Sequence, residues 1–130
     1  MKSITILALA AIIATLAAGV LFGQNTDLSG TWVGETSVPN STDKDGISLV
    51  LKKDGASYSG TMTDSMGMAS GVSLENVKFE NGTLSFQFYA GSSDQAVKIS
   101  TTLKLSNDKL VGSWVSDQGD SSALELVKKK

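Results

Sequence analysis

The sequence predicts an all-β domain: an antiparallel, up-and-down meander barrel of about eight strands. Three observations lead there. From Gly30 onward apolar residues recur with a period of two, the spacing that gives a strand one buried and one wet face. Turn-forming pairs such as Asp54-Gly55 and Asn81-Gly82 fall between the apolar stripes. No segment after residue 24 carries helical periodicity for longer than about one turn.

Each strand has its own stripe. Trp32, Gly34, Thr36 and Val38 share one face of the first, and Ile47, Leu49 and Leu51 share one face of the second. Tyr58, Gly60 and Met62 mark the third. Val72 and Leu74 begin the fourth, but Val77 and Phe79 are out of phase with them, which predicts a bulge or break near Glu75-Asn76. Leu84, Phe86 and Phe88 mark the fifth, and Val97, Ile99, Thr101, Leu103 and Leu105 the sixth. Leu110, Gly112 and Trp114 come next, and Leu124 and Leu126 close the chain. Lys53-Asp54-Gly55, Glu80-Asn81-Gly82, Ser106-Asn107-Asp108 and Asp117-Gln118-Gly119-Asp120 separate neighbours. Connections this short make sequential strands antiparallel. A serial sheet has two open edges, and closure removes them, so a barrel is favoured over the alternative, a two-layer β-sandwich.

The first 23 residues read differently. Lys2 precedes a nearly all-apolar run from Ile4 to Phe22, and the composition turns polar after Gln24. This is the pattern of a secretory signal peptide, with an uncleaved anchor as the alternative. Residues 24–29 then form a short linker, and 30–130 a single β-barrel domain of an exported, periplasmic or secreted protein with no membrane span in its mature form. The complete absence of Cys fits a bacterial export route better than a small disulfide-built eukaryotic domain.

Composition excludes several functions. The chain has no His, Cys or Arg. Nucleophilic triads, ordinary zinc sites and bidentate phosphate recognition are therefore out of reach. Once Lys2 is removed, ten Lys face thirteen Asp plus Glu, a net charge of −3, which argues against a nucleic-acid partner. No cofactor or metal is implied, and no enzyme activity.

Ser29-Gly30-Thr31-Trp32 opens the first strand. A Gly-x-Trp at that place, followed by a pure meander, resembles the calycins: lipocalins, fatty-acid-binding proteins and avidins. The likeness extends over Leu28 to Lys128 and is strongest to small exported bacterial lipocalin-like barrels of undefined function. It implies that Trp32 plugs one end of a barrel. Several family features are missing. No Arg is present to stack on Trp32, and Lys128 is only a partial substitute because it lacks the planar guanidinium. The C-terminal helix of lipocalins and the helical lid of fatty-acid-binding proteins also have no counterpart. Only Trp32 and Trp114 are available where avidins use several Trp to wrap biotin.

The implied function is non-enzymatic binding of a small hydrophobic molecule. Candidate ligand-binding residues are Trp32, Tyr58, Met62, Phe86, Phe88 and Trp114. Met66 and Met68 are candidate lid residues, because flexible thioethers make an adaptable cover. Three of the four Met fall in Met62–Met68, a soft-ligand set for Cu(I), but a flap over the barrel mouth is the simpler reading. A dry pocket of ~300 Å³ would cost roughly 7 kcal/mol at about 24 cal/mol per Å³. That is a large part of the ~5–15 kcal/mol expected of the domain. A mostly filled barrel is therefore expected, with any ligand site shallow or at one mouth. The alternative function is a structural or interaction module that contacts an envelope protein through the Val38–Gly46 and Met62–Gly71 connections. Asp43, Asp45, Asp54, Asp64, Asp108, Asp117 and Asp120 are read as solvated turn carboxylates.

Overall fold

The computed structural model describes residues 26–92 and 94–130. The signal segment read at residues 1–23 lies outside the described residues. Nine strands and no helix form among the described residues: β1 (Gly30–Ser37), β2 (Lys44–Asp54), β3 (Ser57–Asp64), β4 (Val72–Ser73), β5 (Glu75–Glu80), β6 (Thr83–Ala90), β7 (Val97–Ser106), β8 (Lys109–Ser116) and β9 (Ser121–Lys128). All pairs are antiparallel, in the order β4-β3-β2-β1-β9-β8-β7-β6-β5. The first strand pairs with the last, so the sheet curls into a nearly closed barrel. The meander read from the alternation is the observed architecture.

The ninth strand comes from the break expected near Glu75-Asn76. Val72 and Ser73 pair with Met62 and Thr61 of β3, whereas Lys78 to Glu80 pair with β6. One stretch of chain thus leaves one edge of the sheet and joins the other. The crossing falls at Leu74, and just beyond it Asn76, at the bulge inside β5, has a φ of 52°, in the left-handed region that Asn tolerates. The register slips between Glu75 and Lys78, and Asn76 Nδ2 donates to Gln87 Oε1 at 2.7 Å. Only Leu74 separates β4 from β5, and its amide donates to the Gly60 carbonyl, stitching the seam.

The hairpins follow their turn chemistry. Asn81-Gly82 and Asn107-Asp108 place both central residues at positive φ, as a type I′ turn requires. At the β2–β3 hairpin the central pair is Gly55-Ala56, with Asp54 still in the ladder opposite Ser57. Only Gly55 has positive φ there, the II′ pattern, so the pair at the tip is shifted by one residue from Asp54-Gly55.

The barrel has two unlike halves. Around Trp32 it is solid: Leu49, Leu51, Leu84, Phe86, Leu103, Leu110 and Leu126 are all buried. Leu28, in the stretch read as a linker, is 0% exposed and caps this end. Its amide donates to the Tyr58 hydroxyl at 2.9 Å, and its carbonyl accepts from Trp32 Nε1 at 2.9 Å. Lys128 Nζ sits 5.8 Å from the centre of the Trp32 ring, at cation–π range. The opposite half is hollow.

Candidate functional site

The hollow half holds a cavity of about 580 Å³ that opens at the end carrying the β1–β2 connection and the Met66–Met68 segment. Its walls are set by strand phase. Thr36, Ile47, Met62, Phe88, Ile99, Thr101, Trp114 and Leu124 all continue inward stripes toward that end. The cavity reaches beyond the rim to side chains that are almost wholly buried, such as Met62 and Thr101. Any site was expected to be shallow or at one mouth; this cavity lies at one mouth and extends inward from it. A sealed dry void of this size would cost about 14 kcal/mol at ~24 cal/mol per Å³, so the opening and polar lining matter.

Five of the eight candidate residues meet at this cavity: Met62, Phe88 and Trp114 in the wall, Met66 and Met68 at the mouth. Met66 and Met68 are 47% and 52% exposed. Trp32, Tyr58 and Phe86 are not at the cavity. Trp32 and Tyr58 are spent on Leu28, and Tyr58 also meets Phe79 edge-on at 6.2 Å. Phe86 is buried behind Phe88, ring centres 6.2 Å apart. Alternation identifies the inward face but not the height along the barrel axis, so these three share the face and not the cavity.

Polar side chains are set at definite points in a mostly apolar wall. Trp114 Nε1 donates to Thr36 Oγ1 at 2.8 Å, and Thr36 Oγ1 donates to the Ala123 carbonyl at 2.7 Å, pinning the indole to β1 and β9. Ser116 Oγ accepts from the amides of Gln118 and Asp120, which shapes the last turn. Among the described residues two buried side-chain atoms, Thr101 Oγ1 and Asp64 Oδ2, pair with no N–H or hydroxyl, and only the Asp45 carboxyl comes within reach of Asp64.

Asp45 and Asp64 are the residues that the sequence reading missed. Both were assigned to turns, yet Asp45 lies in β2 and Asp64 in β3, and both line the cavity. Asp64 is 9% exposed, and its Oδ1 accepts from the Ala69 amide at 2.7 Å. Asp45 Oδ1 accepts from the Ser65 amide and hydroxyl at 3.1 Å and from the Met66 amide at 3.2 Å, anchoring the mouth segment. The signal was present: Asp64 is in phase with Tyr58, Gly60 and Met62, and Asp45 with Ile47 and Leu49.

Burial pushes the Asp45 carboxyl above the ordinary value of 3.8, and the hydrogen bond and like charge of Asp64 push it further. The Ser65 hydroxyl and Met66 amide oppose that rise. The folded protein therefore holds this proton to higher pH than the unfolded chain does. Its contribution to stability is complete below 3.8 and is lost as pH rises through the raised value. Asp45→Asn keeps an acceptor for Ser65 and Met66 and adds a donor toward Asp64. The gain in urea midpoint over wild type should be larger at pH 7 than at pH 3.5; a gain that shrinks with rising pH contradicts the assignment.

No family model matches the chain, and no curated protein and no solved structure is significantly similar to it. Among the described residues no helix is long and apolar enough to cross a membrane, and no three Asp or Glu gather as a metal site.

Proposed function

We propose that this is a non-enzymatic, exported, lipocalin-like domain that binds a small hydrophobic molecule outside the cytoplasm. The reading rests above all on the cavity of about 580 Å³ walled by Met62, Phe88 and Trp114. That volume lies within the range of small-molecule sites, which are mostly apolar with a few placed polar groups. Division of the interior also favours it. One end is packed and capped by Leu28, so stability comes from there, while the other end is free to stay open. The thioethers of Met66 and Met68 adapt to different shapes more readily than branched side chains. The calycin likeness of Gly30-Thr31-Trp32 gains support from Lys128, which lies over the Trp32 ring.

The two tryptophans allow a direct test. Trp114 lines the cavity and Trp32 lies in the packed half. Decanol should shift the emission of a Trp32→Phe variant, in which Trp114 is the sole tryptophan, and raise its melting temperature. A Trp114→Phe variant should show the thermal shift with little change in emission. A lack of any thermal shift with decanol, together with no co-purifying molecule in native mass spectra of protein from its source, would defeat the reading.

A further inference from the structure

The cavity is not neutral. Its ionisable lining groups are Asp45, Asp64 and Asp120, and no Lys is among its lining residues. Asp45 and Asp64 lie within hydrogen-bonding reach of each other, so negative charge is concentrated on one wall. A cluster of carboxylates could be solvation alone. Here, however, two polar side chains more than nine-tenths buried line the cavity with atoms that pair with no N–H or hydroxyl among the described residues, the Asp45 carboxyl being the one group within reach of Asp64. These are Asp64 Oδ2 and, on the β7 wall, Thr101 Oγ1 in a residue 2% exposed. An unpaired acceptor in a low-dielectric site is costly, and a carboxylate oxygen more so than a hydroxyl.

Resting on the cavity reading above, we propose that the bound molecule is an amphiphilic amine, its ammonium held by Asp64 and Asp45 and its apolar body against Met62, Phe88 and Trp114. An ammonium donates up to three hydrogen bonds and carries the opposite charge, which a hydroxyl head does not. A carboxylate head would meet like charge with no Lys among the described lining residues to offset it, so fatty acids are the wrong class for this cavity. An inorganic cation is also a poor match. Calcium wants six to eight oxygens in one cage, and among the described residues no three Asp or Glu come together as a metal site.

Three probes with one chain and three heads separate the possibilities: decylamine, decanol and decanoate, titrated at pH 7 below their aggregation limits. Decylamine should bind at least tenfold more tightly than decanol, and decanoate most weakly. Asp64→Asn should cut the amine's advantage over decanol to less than about threefold. Asp45→Asn, which preserves the Ser65 and Met66 hydrogen bonds, serves as a second variant with the same expectation. Decanoate binding as tightly as decylamine overturns the head-group inference, as does an amine advantage that survives both substitutions. Decanol binding with no amine advantage overturns this inference alone. Failure of all three probes overturns it together with the binding function itself.

Discussion

Trp32→Ala should destabilise the protein by about 3–5 kcal/mol, the range for deleting a large aromatic from a packed interior. Two further losses put it at the upper end. The indole is 3% exposed, and its Nε1 is the donor to the Leu28 carbonyl. Without it that carbonyl loses its partner, the Leu28 cap loosens and Lys128 loses the ring beneath its ammonium. For a domain of this size the melting temperature should fall by on the order of 20 °C. Trp32→Phe retains most of the volume but not the donor and should cost about 1–3 kcal/mol. Trp114→Ala should cost less than Trp32→Ala, since Trp114 is only partly buried and already faces open space. Chemical denaturation of the three variants checks the series. An unmoved midpoint for Trp32→Ala would remove the capped-end description.

The second large effect is expected from a single methyl group. Gly34, Gly60 and Gly112 lie mid-strand on inward stripes, where a Cβ would fall on the carbonyl oxygen of Glu125, Val50 and Thr102, respectively. These glycines supply space for a tight bend of the sheet, a normal use of strand glycine in barrels. At Gly112 the obstruction is entirely backbone, with Leu103 Cα and the Thr102 carbonyl carbon both 2.9 Å from the added atom. A side chain could rotate away, but a paired strand cannot. Overpacking usually costs about 1–3 kcal/mol, and against fixed backbone Gly112→Ala should reach about 3 kcal/mol or more. Gly46→Ala is the control. Its nearest neighbour is the side-chain atom Ser65 Oγ at 3.3 Å, which has to give by only a few tenths of an ångström, so the cost should stay at about 1 kcal/mol, well below that of Gly112→Ala. Equal midpoints for the Gly112 and Gly46 variants would show that the bend does not need the missing Cβ.

Much of the barrel could be read directly. Leu84, Phe86 and Phe88 are buried, and Leu103, Leu110, Leu124 and Leu126 fall inward as their phase requires. The break at Asn76 could be anticipated because Val77 and Phe79 change phase, although whether one bent strand or two short ones result depends on which edges they meet. The candidate site was legible by face and not by depth. Phe86 and Phe88 are two residues apart on one stripe, yet only Phe88 reaches the cavity. Asp45 and Asp64 were obscured for a different reason. Polar residues at inward positions look like turn or surface chemistry until the walls around them are in place.

Local alternation of side chains, together with turn residues able to adopt positive φ, was enough to determine an antiparallel meander and the face each residue presents. Both depend on a few consecutive residues, so they are written in the chain itself. Which end is packed and which is hollow was decided only in three dimensions. That outcome depends on how Leu28, Trp32 and Tyr58 meet from distant parts of the chain, and on two carboxyl groups brought together by the pairing of β2 with β3. Side-chain volumes sum over all strands at a given height, and height is set by register, which no single segment contains.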